Sequence, residues 1–103
     1  MCSSATTGTA TGTLLIENDR VKVWEWAFSG KGDNTGWHTH QYDYVVIPLF
    51  DGELHIDLPS GERVVAPMQN GVPYFRETGV EHDVMNGNDF PCRFIEVEIL
   101  AEK

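Results

Sequence analysis

Cysteines, basic residues and long apolar runs are all scarce in this sequence, and each scarcity excludes something. Two cysteines, Cys2 and Cys92, stand near opposite ends of the chain. They build no disulfide framework, and with no basic and apolar leader visible after Met1 they predict a reducing, cytoplasmic setting. Seven Lys and Arg against sixteen Asp and Glu give a formal net charge of −9. The clustered cations that bind phosphate backbones are missing, so nucleic acid is not an expected partner. No apolar run approaches the roughly 18 residues of a membrane helix, so no membrane insertion is expected. Nor does any stretch keep a 3.6-residue apolar period over three turns, which leaves little room for helix.

What is present is a sequence of short strand patterns punctuated by turns. At 103 residues and 41% hydrophobic content, the chain suits one soluble domain with one core. Residues 1–12, rich in Ser, Thr, Ala and Gly, read as an N-terminal tail, with the domain spanning 13–103. Leu14 to Glu17 reads as a short strand and Arg20 to Phe28 as a longer one. In the longer strand Val21, Val23 and Ala27 share one parity and Trp24, Trp26 and Phe28 the other. Both faces are apolar, so both need cover, and a partner copy on the outer face predicts a homodimer. Tyr44 to Leu49 reads as a buried strand. Leu54, Ile56 and Leu58 alternate with Glu53, His55 and Asp57 in a half-buried one. In the last strand, Arg93 to Leu100, the alternation predicts Ile95, Val97 and Ile99 inward and Glu96 and Glu98 outward. About nine such strands, with turn signals every ten residues or so, indicate an all-β jelly roll or barrel.

The chemistry concentrates in Gly36-Trp37-His38-Thr39-His40. On a strand, His38 and His40 point to the same face and can reach one ion. His82, in Thr78-Gly79-Val80-Glu81-His82-Asp83, follows glycine-rich turns that could return it to the pair. Three neutral imidazoles form a credible site for zinc, iron, copper or nickel. His55 falls on the wetted face of its strand and is excluded. Tyr74 and Arg76 share a parity on the stretch leading to His82, so Arg76 is a candidate anchor for a substrate carboxylate. Tyr44, with Tyr42, Trp24 and Trp26, is a candidate wall for an apolar pocket.

These spacings resemble those of the cupin superfamily. Gly71, Gly79, His82 and Asn86 match the family's second motif in spacing, with Glu77 where a proline is usual, and His38, His40 and Gly52 match its first. The stretches around His-Gln-Tyr-Asp-Tyr-Val-Val and Pro-Tyr-Phe-Arg-Glu-Thr-Gly-Val-Glu-His-Asp-Val are similar to short single-domain cupins grouped with β-alanine degradation proteins. The resemblance implies a cupin-type jelly-roll barrel, the double-stranded β-helix, holding a divalent transition metal: iron, zinc, nickel or manganese. It also implies a glutamate ligand that this chain lacks. Counted seven residues back from Gly52, the glutamate position falls on Val45. Asp43, of the same parity, is the alternative fourth ligand, and a site of His38, His40 and His82 alone is the preferred reading. Three-histidine cupins that cleave diketones or oxidise thiols use iron. By that likeness the expected function is a metal-dependent, dioxygenase-like enzyme acting on a small carboxylate, thiol or enolisable substrate. A non-catalytic metal or small-ligand binding module and a Lewis-acid lyase or isomerase are the alternatives.

Overall fold

In the computed structural model, which describes residues 8–100, nine strands form two sheets facing each other across one core. They are β1 (Thr11–Glu17), β2 (Val21–Phe28), β3 (His38–Thr39), β4 (Asp43–Pro48), β5 (Gly52–Asp57), β6 (Arg63–Met68), β7 (Tyr74–Arg76), β8 (Glu81–Asn86) and β9 (Cys92–Ile99). One sheet runs β1-β2-β9-β4-β7 and the other β3-β8-β5-β6, with antiparallel pairing throughout. The expected all-β jelly roll is what forms. Among the described residues there is no helix, hence none long and apolar enough to cross a membrane.

The order arises from alternation. Trp24, Trp26 and Phe28 of β2 turn inward and are nearly fully buried, joining Val46 of β4, Leu54 of β5, Val84 of β8 and Phe94 of β9. Phe28 and Phe94 meet with ring centroids 5.8 Å apart. Pro48 closes β4 at a fully buried position where β9 alone continues the pairing. Gly12 is required under Trp26, because a Cβ there would come within 2.9 Å of the indole.

Three expectations need revision. Segment 1–12 was expected to be a tail, yet β1 begins at Thr11 and Ala10 is buried, its N–H donating to the Asn34 carbonyl at 2.8 Å. Residues 1–7, Cys2 included, lie outside the described residues. In β9 the parity is reversed: Cys92, Phe94, Glu96 and Glu98 face inward, while Ile95, Val97 and Ile99 face outward. The hydrophobic rule failed because the outer face of this sheet is itself apolar. One row, Ile16-Val23-Val97-Val45-Phe75, crosses all five strands through direct cross-strand partners. Val45, third, lies on that outer row, and Tyr44 occupies the inward position beside it.

Leu54 belongs to this core and is 1% exposed. Truncating it to alanine should cost about 2–5 kcal/mol, because the cavity left behind cannot fully collapse. Val65→Ala, at a position 54% exposed, should stay within about 0.5 kcal/mol. Chemical denaturation of the two variants checks this pair.

Candidate metal centre

His38 and His82 are direct cross-strand partners in the β3–β8 ladder, so their side chains stand side by side on the inner face. His40 follows two residues later on the same face, its N–H bonded to the Val80 carbonyl and its carbonyl accepting from Gly79 N–H. Two glycines make this arrangement possible. Gly36 (φ 89°) turns the chain into β3 and Gly79 (φ 96°) turns it into β8, both in the left-handed region that disfavours other residues. Asp83 clamps the first turn by accepting from Gly36 N–H at 3.0 Å and from the Asn34 amide at 3.0 and 3.1 Å.

The imidazoles converge through one kind of atom. His40 Nε2 lies 3.1 Å from both His38 Nε2 and His82 Nε2. A donor set of three neutral imidazoles suits a divalent transition metal. An ion about 2.0–2.2 Å from each nitrogen would subtend about 90–100° at that spacing, so the three residues fit one on a common face. His38 is held in the tautomer this requires, since its Nδ1 lies 2.8 Å from the Gly36 carbonyl and donates to it, leaving Nε2 with its lone pair. Burial holds all three imidazoles neutral. It is the largest influence in each case, pushing His40 down to about 2, His82 to about 3 and His38 below its ordinary 6.5.

The triad forms part of the wall of a cavity of about 250 Å³, otherwise lined largely by apolar side chains including Leu54, Ile56, Val64 and Val84. This is below the roughly 300–1,000 Å³ of drug-sized sites, so it suits a small ligand. Tyr44 stacks on His40 with ring centroids 3.9 Å apart and 16° between planes, taking the inward position where a fourth ligand was sought at Val45. Asp43 is elsewhere, its carboxylate accepting from Thr78 N–H at 2.8 Å. Tyr74 and Arg76 line the same cavity. The guanidinium carbon lies 4.5 Å from the Tyr74 ring centroid, and Nη1 donates to the Phe75 carbonyl at 2.9 Å. His55 is apart from all of this, 2.9 Å from the Glu53 carboxylate.

The residues missed by the alternation argument are Glu96 and Glu98. Both are buried beside His40, Glu96 also on the cavity wall, and a ligand atom from each of the three residues lies within 4.8 Å of the others. Glu98 accepts from the Trp24 indole N–H at 2.9 Å. Glu96 Oε2 lies 3.7 Å from His40 Nδ1. Burial first, and then the neighbouring Glu98 carboxylate, push Glu96 up to about 8. The doubly apolar pattern of β2 was the available signal, since it implied an apolar outer face on which the valines and isoleucines of β9 could also lie.

No protein-family profile matches the chain. It is 46% identical over 90 residues to the β-alanine degradation protein BauB of Pseudomonas aeruginosa, covering 87% of this chain and 93% of that one. Among solved structures, a cupin domain from Bordetella pertussis Tohama I is 47% identical, with a TM-score of 0.84 over 89% of this chain and 94% of its own. An RmlC-like cupin with a double-stranded β-helix from Methanocaldococcus jannaschii shares the fold, with a TM-score of 0.71 at 18% identity, over 88% of this chain and 80% of its own.

The buried groups set opposite pH slopes for the metal-free chain. The folded imidazoles titrate below 6.5. The unfolded chain therefore takes up protons that the native chain refuses, and stability falls as pH drops below that value. Glu96 works in reverse. Its folded value of about 8 exceeds the ordinary 4.5, so its contribution is lost as pH rises toward 8. Thermal melts of metal-free protein from about pH 4 to about pH 9 should peak near the ordinary imidazole value, whereas a steady rise through the alkaline end would contradict this balance.

Proposed function

The chain belongs to the cupin superfamily, and from that premise we propose that it is a metal-dependent, dioxygenase-like enzyme acting on a small carboxylate, thiol or enolisable substrate. The observation that carries the reading is the convergence of His38, His40 and His82 on one point at the wall of a small, largely apolar cavity. A divalent transition metal held there would supply Lewis acidity and, if it were iron, a redox couple able to engage oxygen. The protein's own side chains do the rest. Arg76, oriented by its stack on Tyr74, receives the substrate carboxylate at the cavity wall. Leu54, Ile56, Val64 and Val84 keep the bound molecule dry, which strengthens polar contacts made inside. Tyr44 occupies the inward position with a neutral ring where a carboxylate ligand would add negative charge, so an anionic substrate meets less repulsion. β-Alanine, in the name of the Pseudomonas aeruginosa relative, is a three-carbon carboxylate and belongs to the same size class.

Protein purified without chelator should contain about one transition-metal ion per chain by elemental analysis. His82→Ala should abolish that content, and His55→Ala should retain it. The iron(II) form should consume oxygen with at least one member of a panel of small carboxylates, diketones and thiols. Thermal stabilisation by a ligand with no oxygen uptake in any metal form would replace this reading with a binding module. Turnover with redox-inert zinc would replace it with Lewis-acid lyase or isomerase chemistry.

The reading extends to a cytoplasmic homodimer. A second copy is the occupant that suits the outer row Ile16-Val23-Val97-Val45-Phe75. The row is uncharged, whereas a net charge of −9 makes copies repel across the rest of the surface. Light scattering at micromolar concentration should give a dimer, and Val97→Glu should give a monomer or insoluble protein. A monomeric parent chain would rule the dimer out.

A further inference from the structure

Two buried polar atoms face each other unpaired behind the histidine triad. His40 Nδ1 and Glu96 Oε2 have no hydrogen-bond partner, lie 3.7 Å apart, and belong to side chains 1% and 4% exposed. One is able to donate and the other can only benefit from accepting. Closing the gap by about 0.8 Å would satisfy both with a single hydrogen bond of ordinary length. Tyr44 covers a face of the imidazole, and Glu98 accepts from Trp24 through Oε1 while its Oε2 is also unpaired, so Glu98 is the alternative acceptor that the variants below must separate from Glu96. The Trp26 indole lies beside Glu96.

We propose that Glu96 is a positioning residue for the ion: by accepting His40 Nδ1–H it fixes the tautomer whose Nε2 lone pair joins those of His38 and His82. The proposal rests on the metal-binding reading above. It completes a pattern already visible at His38, whose Nδ1 donates to the Gly36 carbonyl. The difference is that His40 is backed by an acidic side chain on another strand. A carboxylate behind a metal-bound imidazole raises its basicity and restricts its rotation. A bound ion's positive charge favours the ionised form of Glu96, so negative charge missing from the ion's immediate surroundings, where Tyr44 stands, is placed one layer back. It steadies the ion without occupying a coordination position, which stays open for a ligand.

The competing arrangement is a second cation held by His40 Nδ1, Glu96 and Glu98, whose ligand atoms lie within 4.8 Å of one another. Titration of the full chain with zinc or cobalt(II) against a chromophoric chelator separates the two. One ion per chain is expected. Glu96→Leu should weaken its binding about 10–100-fold, the range typical of lost outer hydrogen bonds to metal ligands. Glu96→Gln, whose amide oxygen still accepts, should lose less, and Glu98→Gln should change affinity little. Long-range proton–nitrogen NMR of the metal-free chain should show His40 protonated on Nδ1, and this preference should vanish in Glu96→Leu. Equal metal affinity in a folded Glu96→Leu variant, or a second ion lost with Glu98→Gln, would overturn the proposal. If Glu96→Leu does not fold, the parent spectrum decides, because an Nε2-protonated His40 is incompatible with it. A parent chain that binds neither metal instead sinks the metal-binding reading, and this proposal with it.

Discussion

The cross-strand partnership of His38 and His82 is the constraint on which the rest of the site depends. Two strands must arrive in antiparallel register although four other strands lie between them in the chain, and a slip of one residue would send one imidazole to the outer face. The register is pinned from both sides. Gly36 and Gly79 make the entry turns, Asp83 fastens the first turn to the second strand, and the backbone of His40 pairs with Gly79 and Val80. None of these groups needs to touch a ligand. Their work is to make three imidazole nitrogens meet at the wall of an otherwise largely apolar cavity.

A barrel interior holding three histidines, two glutamates and two tryptophans in or beside one core is costly unless each polar atom finds company. Trp24 with Glu98 and His38 with Gly36 meet that demand directly. His40 Nδ1, Glu96 Oε2, Glu98 Oε2 and Trp26 Nε1 leave it unmet. Such concentrated polarity inside an otherwise apolar wall is the signature of a site kept for chemistry, since packing alone would have favoured leucine or phenylalanine at several of these positions.

Much of this was legible beforehand, and the failures share one cause. His38 and His40 on one face, His82 beside them, the absence of helix and the barrel class all follow from period-two alternation and turn chemistry, which are local. The mistaken faces of Val45 and of Glu96 and Glu98 arose where alternation alone is ambiguous. A strand with hydrocarbon on both parities can be placed either way, and only the neighbouring strands decide. Tyr44 pairs with Glu98 on one side and Arg76 on the other, and that inward row cannot be deduced from any single segment. Asp43, the alternative fourth ligand, has its carboxylate accepting from Thr78 N–H instead.

The N-terminal contact carries a different kind of consequence. Ala10 is stitched to Asn34 by its backbone, and Thr9 Oγ1 reaches the Asp33 carboxylate at 3.2 Å. The same Asn34 amide grips Asp83, which grips the turn into His38. Hydrogen bonds therefore run unbroken from Thr9 and Ala10 through the loop to the turn into the first histidine. A change of side chain at Ala10 or Asn34 is thus next in line to the ligand turn, whereas β9 at the other end of the domain is held between β2 and β4 and shares none of these bonds.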